Sequence, residues 1–221
     1  MDVTIELSLV PEESSLIDQN LKTQLSGIFK KMEGRVTMKA VVDLSREKDN
    51  EMAAFLRAVA ALSDQLDLEL YGPGEEEMVP QLNTQWLPVT GLYKDGAYGR
   101  VAFHGVPGGK EINSFVLAIY NLAGPGQEMP RGLRKKIDKL DKKANIKICV
   151  SLSCHHCPIV VAACQRIAIL NPNIEAEMID AALYEDLVAR YDIKRIPMMI
   201  INDTEIHMGG KEIDEIVTLL K

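Results

Sequence analysis

The chain repeats itself, and that constrains its fold more than any other feature. Gly108-Gly109-Lys110-Glu111-Ile112 recurs as Gly209-Gly210-Lys211-Glu212-Ile213, and Trp86-Leu87-Pro88-Val89 is matched by Arg195-Ile196-Pro197-Met198. Two helical segments align between these anchors, with Ala54 on Ala162, Ala60 on Ala168 and Leu62 on Leu170. A repeated segment is one structural unit used twice, so its two copies are read together.

The first copy has an apolar strand at 36–44, a helix at 50–66 and a strand at 66–71. A loop follows with Gly72, Pro73, Gly74 and three glutamates. Strands at 87–93 and 98–104 are split by the hairpin signal Lys94-Asp95-Gly96. A helix at 111–122 closes the unit. The second copy reads as strand 146–152, helix 158–170 stopped by Asn171-Pro172, strand 174–179 and a short helix at 183–191. A hairpin of 197–201 with 205–207 over Asn202-Asp203-Thr204 and a last helix at 211–220 complete it. Parallel pairing of the first two strands requires the crossover helix between them. This order is thioredoxin-like. The expected fold is α/β, two tandem thioredoxin-like folds, each a mixed sheet flanked by helices. A chain of 221 residues accommodates two units of roughly 100. The expected division is an extension at 1–15, a first unit at 16–123, a linker and basic helix at 124–145 opened by Gly124-Pro125-Gly126, and a second unit at 146–221.

Charge narrows the partners. A net charge of -7 argues against nucleic acid, whose phosphates reward a basic face. Residues 131–147 run the other way, with eight basic side chains against Asp138 and Asp141. Leu133, Ile137, Leu140 and Ala144 fall there at helical spacing, so a solvated helix face is expected. No apolar run approaches the roughly 20 residues that span a bilayer, and acids at Glu12 and Glu13 interrupt an N-terminus without a basic region, unlike a secretory signal. These features predict a soluble cytoplasmic protein that meets neither nucleic acid nor membrane.

Four cysteines in such a chain, two of them as Cys-x-x-Cys, suggest redox or metal chemistry. Ser153-Cys154-His155-His156-Cys157-Pro158 lies between a strand and a helix. Free amide groups and the dipole at a helix start favour an anion, so the Cys154 thiol should titrate below the free value of about 8.5. Cys157, one turn in, is within bonding reach and more buried, and Pro158 is tolerated in a first turn. One exposed thiolate that attacks and one protected thiol that resolves are what disulfide exchange needs. The rival reading is zinc held by Cys154 and Cys157 with His155, His156 or Cys164, although no second Cys-x-x-Cys or His-x3-His closes such a site. Cys149 in a strand and Cys164 on an apolar helix read as core thiols. His155 and His156 either tune the dithiol or fill an exposed turn, and His104 and His207 read as structural. In the register of the repeat, Ser45-Arg46-Glu47-Lys48-Asp49 lies on Ser153-Cys154-His155-His156-Cys157, so the dithiol exists only in the second copy. Thioredoxin-like folds carry a cis-proline facing the disulfide. The repeat puts Pro197 at that position and Pro88 at its relic in the first copy.

These residues resemble the N-terminal domain of the alkyl hydroperoxide reductase flavoprotein subunit. The matching stretches are Asp18-Gln19-Asn20-Leu21-Lys22-Thr23-Gln24-Leu25, Ser151-Leu152-Ser153-Cys154-His155-His156-Cys157-Pro158, Leu170-Asn171-Pro172 and Ile196-Pro197. The resemblance implies fused thioredoxin-like folds with a dithiol only in the second. It also implies electron transfer from a flavoprotein body, fed by NADH, through the dithiol to a peroxiredoxin-like or thioredoxin-like partner, with homo-oligomers possible. It places a family acid beside the dithiol at Glu111, although Glu111 could equally be a helix-start acid like its twin Glu212. No G-x-G-x-x-G occurs, so no cofactor is expected in this chain, and FAD and NADH are implied only for the flavoprotein partner or body. The competing functions are a stand-alone protein disulfide oxidoreductase of broad range and a metal-binding scaffold.

Overall fold

The computed structural model describes residues 4–221. The first half runs α1 (Gln19–Phe29), β1 (Val36–Val41), α2 (Glu47–Ala60), β2 (Leu66–Tyr71), β3 (Val89–Lys94), β4 (Ala97–His104) and α3 (Ile112–Ala123). After α4 (Arg131–Asp138), the second half runs β5 (Ala144–Val150), α5 (Cys157–Leu170), β6 (Ile174–Asp180), α6 (Glu185–Arg190), β7 (Met198–Ile201), β8 (Glu205–Met208) and α7 (Ile213–Leu219). In each half the first strand pairs parallel with the second and antiparallel with the third. The hairpins close where expected. Asp95 and Gly96 both take positive φ, as do Asn202 and Asp203, the backbone that matches strand twist in a tight turn.

The two mixed sheets become one. β4 pairs parallel with β6, from Val101 against Ala176 to His104 against Ile179. The result is a single eight-stranded sheet in the order β2-β1-β3-β4-β6-β5-β7-β8. One face packs against the helices in a core that includes Met38, Phe103, Ile148 and Met178 from the strands with Phe55, Phe115, Val160 and Ile216 from the helices. The opposite face is covered by two smaller apolar clusters, one around Tyr71, Leu82 and Tyr93 and one around Trp86, Tyr184 and Leu187. A polar seam lies at the join. His104 Nδ1 faces the Trp86 carbonyl at 2.8 Å and Nε2 faces the Glu177 carboxylate at 2.7 Å. Both partners are acceptors, so both ring nitrogens donate, which describes the doubly protonated ring. Burial pushes the Glu177 carboxyl up, but His104, Asn145 and Lys147 outweigh it and hold the group below the ordinary range.

Several elements differ from the sequence expectations. Helix α1 lies ahead of the first expected strand, in a stretch for which the repeat offers no counterpart, and Asp18 caps it by accepting from Leu21 N–H at 2.7 Å. The helix expected at 50–66 starts at Glu47 and stops at Ala60, because the turn ending in Leu66 N–H to Ser63 carbonyl must precede β2. The basic helix does not run to 147. Asn171 Nδ2 donates to the carbonyls of Ile137 and Leu140 at 2.7 and 3.0 Å, ending α4 at Asp138, and Ala144 opens β5 opposite Ile174. Ala144 is therefore buried in the sheet and not on a helical stripe. Within the expected N-terminal extension, residues 1–3 lie outside the described residues. The remainder is docked: Ile5 N–H donates to the Leu70 carbonyl at 2.7 Å, and Arg57 binds the carbonyls of Leu7 and Val10 and the Glu12 carboxylate.

Candidate functional site

The strand β5 delivers the chain to the dithiol, and α5 begins on it. Cys154 and Cys157 are joined in a disulfide, with Cα atoms 5.5 Å apart. Cys157 is fully buried and Cys154 half-buried, with His155 and His156 exposed between them. The Cys157 N–H donates to Cys154 Sγ at 3.2 Å. A first-turn amide has no helical acceptor of its own, so this contact gives a Cys154 thiolate a donor once the bond is reduced.

Two further segments frame this loop. Strand β7 begins at Met198 opposite Cys149. Because the pair is antiparallel, Pro197 lies at the same end of the sheet to which β5 carries the dithiol. The Ile196–Pro197 bond is cis, as is Leu87–Pro88 in the first half. The second segment is a 3₁₀ turn, Gly109–Glu111, which packs against α5 and whose Lys110 N–H donates to the Leu152 carbonyl at 2.9 Å. Gly109 has φ +55°, and a Cβ there would sit 2.5 Å from the Leu152 carbonyl oxygen. Only glycine lets this turn approach the loop so closely.

Glu111 follows in that turn and is fully buried. Ser114 Oγ lies 2.9 Å from the Glu111 carbonyl and makes a short contact with its Oε2, while Oε1 has no partner among the described residues. A hydroxyl carries one proton. If Ser114 gives it to the carbonyl, the Glu111 carboxyl supplies the proton of the other contact. Burial pushes this carboxyl up to about 7, against the Ser114 hydrogen bond and with the help of nearby Asp180. Asp180 ends β6 and is itself raised by burial. It is absent from the sequence-derived site, although an acid closing the apolar strand 174–179 is the signal that points to it. The twin Glu212 is different. It is exposed and shares a capping box with Glu215 at the start of α7.

In the first half the equivalent corner holds no thiol. Arg46 Nε lies 3.4 Å from Asp49 Oδ1. Asp49 is buried and accepts the Asp43 N–H at 2.9 Å, and burial raises its carboxyl. Tyr184 Oη, from the second half, donates to the Pro88 carbonyl at 3.2 Å. The remaining cysteines are core residues. Burial pushes the Cys149 thiol up to about 12 and the Cys164 thiol up as well, and Cys164 faces Met199 Sδ at 3.6 Å. Among the described residues no three His, Cys, Asp or Glu side chains gather as metal ligands, and no helix is long and apolar enough to cross a membrane.

The second half, residues 144–221, matches the model of the thioredoxin domain family. Over 202 residues the chain is 29 % identical to the alkyl hydroperoxide reductase AhpF of Pseudomonas aeruginosa, covering 91 % of this chain and 37 % of that protein. The chain therefore spans little more than a third of the curated relatives it matches. The crystal structure of the NTD_N/C domain of alkylhydroperoxide reductase AhpF from Enterococcus faecalis is 38 % identical, with a TM-score of 0.86, and the match covers 93 % of this chain and all of that one. A protein disulfide oxidoreductase from Aeropyrum pernix, 18 % identical with a TM-score of 0.82 over 92 % of this chain and 91 % of that one, shares the fold. With a dithiol only in the second of two thioredoxin-like halves, and with that likeness over nearly its whole length, the chain belongs to the alkyl hydroperoxide reductase AhpF family, as a counterpart of its N-terminal domain.

Proposed function

We propose that this chain relays electrons by thiol–disulfide exchange, from a flavoprotein reductase body to the disulfide of a peroxiredoxin-like partner. The observation that carries the reading is the disulfide at the start of α5, with a buried Cys157 whose N–H points at a half-buried Cys154 sulfur. In the reduced chain the Cys154 thiolate attacks one sulfur of the partner's disulfide. That bond breaks and a mixed disulfide forms. The Cys157 thiolate then attacks Cys154 Sγ, the mixed disulfide breaks, and the partner leaves as a dithiol. Two electrons pass to the partner. The two protons given up by Cys154 and Cys157 balance the two its thiolates take up.

The neighbours have distinct parts. Pro197 sits at the mouth of the site, on the strand paired with β5. Glu111, with its free Oε1 and raised pKa, is the proton acceptor for the resolving thiol and, when ionised, a like charge that raises the thiol pKa. FAD and NADH belong to the flavoprotein body. The strand-to-helix turns of this chain, 42–46 and 151–156, contain no glycine and so offer no close backbone cradle for a pyrophosphate.

The test has two arms. The purified chain is incubated with NADH and a disulfide reporter, then again with dithiothreitol or a flavoprotein reductase added. Turnover is expected only in the second arm. Turnover with NADH alone reveals a nicotinamide site in the chain, and failure of both arms removes the redox role of Cys154 and Cys157.

A further inference from the structure

The chain carries a net charge of -7, yet the surface around the dithiol has the opposite sign. Lys110 is exposed and tied by its backbone to the loop before Cys154. Arg195 is exposed two residues before Pro197, and Lys211 lines a groove of about 250 Å³ with His156, Ile159, Gly210, Glu212 and Glu215. Lys110, Arg195 and Lys211 enter no ion pair among the described residues. The acids nearby are engaged or masked. Glu212 and Glu215 cap each other's end of α7, Asp192 is paired with Lys194 at 2.6 Å, and Glu111 and Asp180 are buried with raised pKa values. One turn beyond Cys157, Ile159 is 51 % exposed, an apolar side chain left in solvent beside the sulfur.

Free cations around a sulfur, in a chain that is otherwise acidic, favour one kind of visitor. We propose that this edge is a docking face for an acidic protein segment, one that presents its disulfide between carboxylate side chains. Lys110, Arg195 and Lys211 steer the segment, and Ile159 seats one of its apolar side chains. The proposal rests on the exchange reading above and names the chemistry of its partner. A charged rim acts mainly on the rate of encounter, by ten-fold or more at low salt, and salt screens it once the Debye length falls to a few ångströms.

The test uses the full chain, reduced with dithiothreitol and desalted. Second-order rates of reduction are measured for hydroxyethyl disulfide, which is neutral, and for two disulfide-closed peptides that differ only in flanking residues, Asp and Glu in one and Lys in the other. At low ionic strength the acidic peptide should react about ten-fold faster or more, and the ratio should fall toward one near about 0.5 M salt. The variant carrying Lys110→Glu, Arg195→Glu and Lys211→Glu should invert the ratio. Both peptides are read on the same protein, so altered Cys154 reactivity cancels. Equal rates, a faster basic peptide or a salt-independent ratio in the unaltered chain overturns the acidic-partner proposal alone, provided the neutral disulfide is reduced. If no disulfide is reduced, the exchange reading falls and takes this proposal with it.

Discussion

Arg46 and Asp49 form an ion pair, Nε to Oδ1 3.4 Å, in the positions that Cys154 and Cys157 fill in the other half. Each pair is three residues apart at the start of its crossover helix, and each puts one exposed and one buried side chain there. The first half thus keeps the geometry of the corner and replaces its covalent link with a charge contact. It has no thiol to exchange.

Changing Cys154 and Cys157 together to Ser should therefore abolish dithiothreitol-driven disulfide reduction. Residual turnover would reveal another working thiol pair. Asp49→Ala leaves the buried Asp43 N–H without its acceptor and should cost about 1–3 kcal/mol of stability, measured by urea unfolding, with exchange intact.

Cys154 is expected to be the attacking thiol. Iodoacetamide labelling of the reduced chain across pH, mapped by mass spectrometry, should mark Cys154 first and show its reactivity rising below the free-thiol value of about 8.5. Cys149 and Cys164, buried with raised pKa values, should stay unlabelled in the folded chain. Prior labelling of Cys157 would reverse the assignment of roles.

Glu111 should make stability fall with rising pH. Its folded pKa of about 7 lies above the ordinary 4.5, so between these values the folded state keeps a proton that the unfolded chain has lost. The stabilising proton is fully in place below about 4.5 and is gone above about 7, for a total of up to about 3 kcal/mol. Glu111→Gln should flatten this profile and raise the melting temperature at pH 8 while leaving it near pH 4 unchanged. The same variant should shift the thiol titration or slow exchange. If neither moves, Glu111 has no part in the chemistry.

The twin glycines should respond differently. Gly109→Ala puts a methyl group against the Leu152 carbonyl in a backbone of positive φ, whereas a Cβ at Gly210 meets nothing within 4 Å. Gly109→Ala should destabilise the fold by about 1 kcal/mol or more and displace the loop before Cys154, lowering exchange rates. Gly210→Ala should be nearly silent. Equal effects in melting and exchange assays would refute the close approach.

His104→Phe removes the partner of a buried carboxylate at the join between the halves. A loss of about 3–5 kcal/mol is expected from an uncompensated buried charge. The double variant His104→Phe with Glu177→Leu should recover most of it in urea titrations, because it removes the stranded charge as well.

The sequence by itself determined what local rules decide. Alternating apolar runs and their lengths set the twofold order of strands and crossover helices. Asp95-Gly96 and Asn202-Asp203-Thr204 specified their turns through backbone preference, and the Cys-x-x-Cys between a strand and a helix specified a thiol at a helix start. Each signal acts over a few residues, so it survives without knowledge of the rest of the chain. What approaches a segment from far away was decided only by the tertiary structure. The pairing of β4 with β6 merged two sheets into one, and Asn171 ended α4 from more than thirty residues away. The repeat shows this most directly. Gly-Gly-Lys-Glu-Ile occurs twice, and by sequence its two glutamates are equivalent. In the first half the 3₁₀ turn packs against α5 and the loop before Cys154, which buries Glu111 and shifts its pKa. In the second half Glu212 stays in solvent and caps α7. Identical local sequence yields different chemistry, because burial and the cost of charge depend on which surface the rest of the fold brings to the residue.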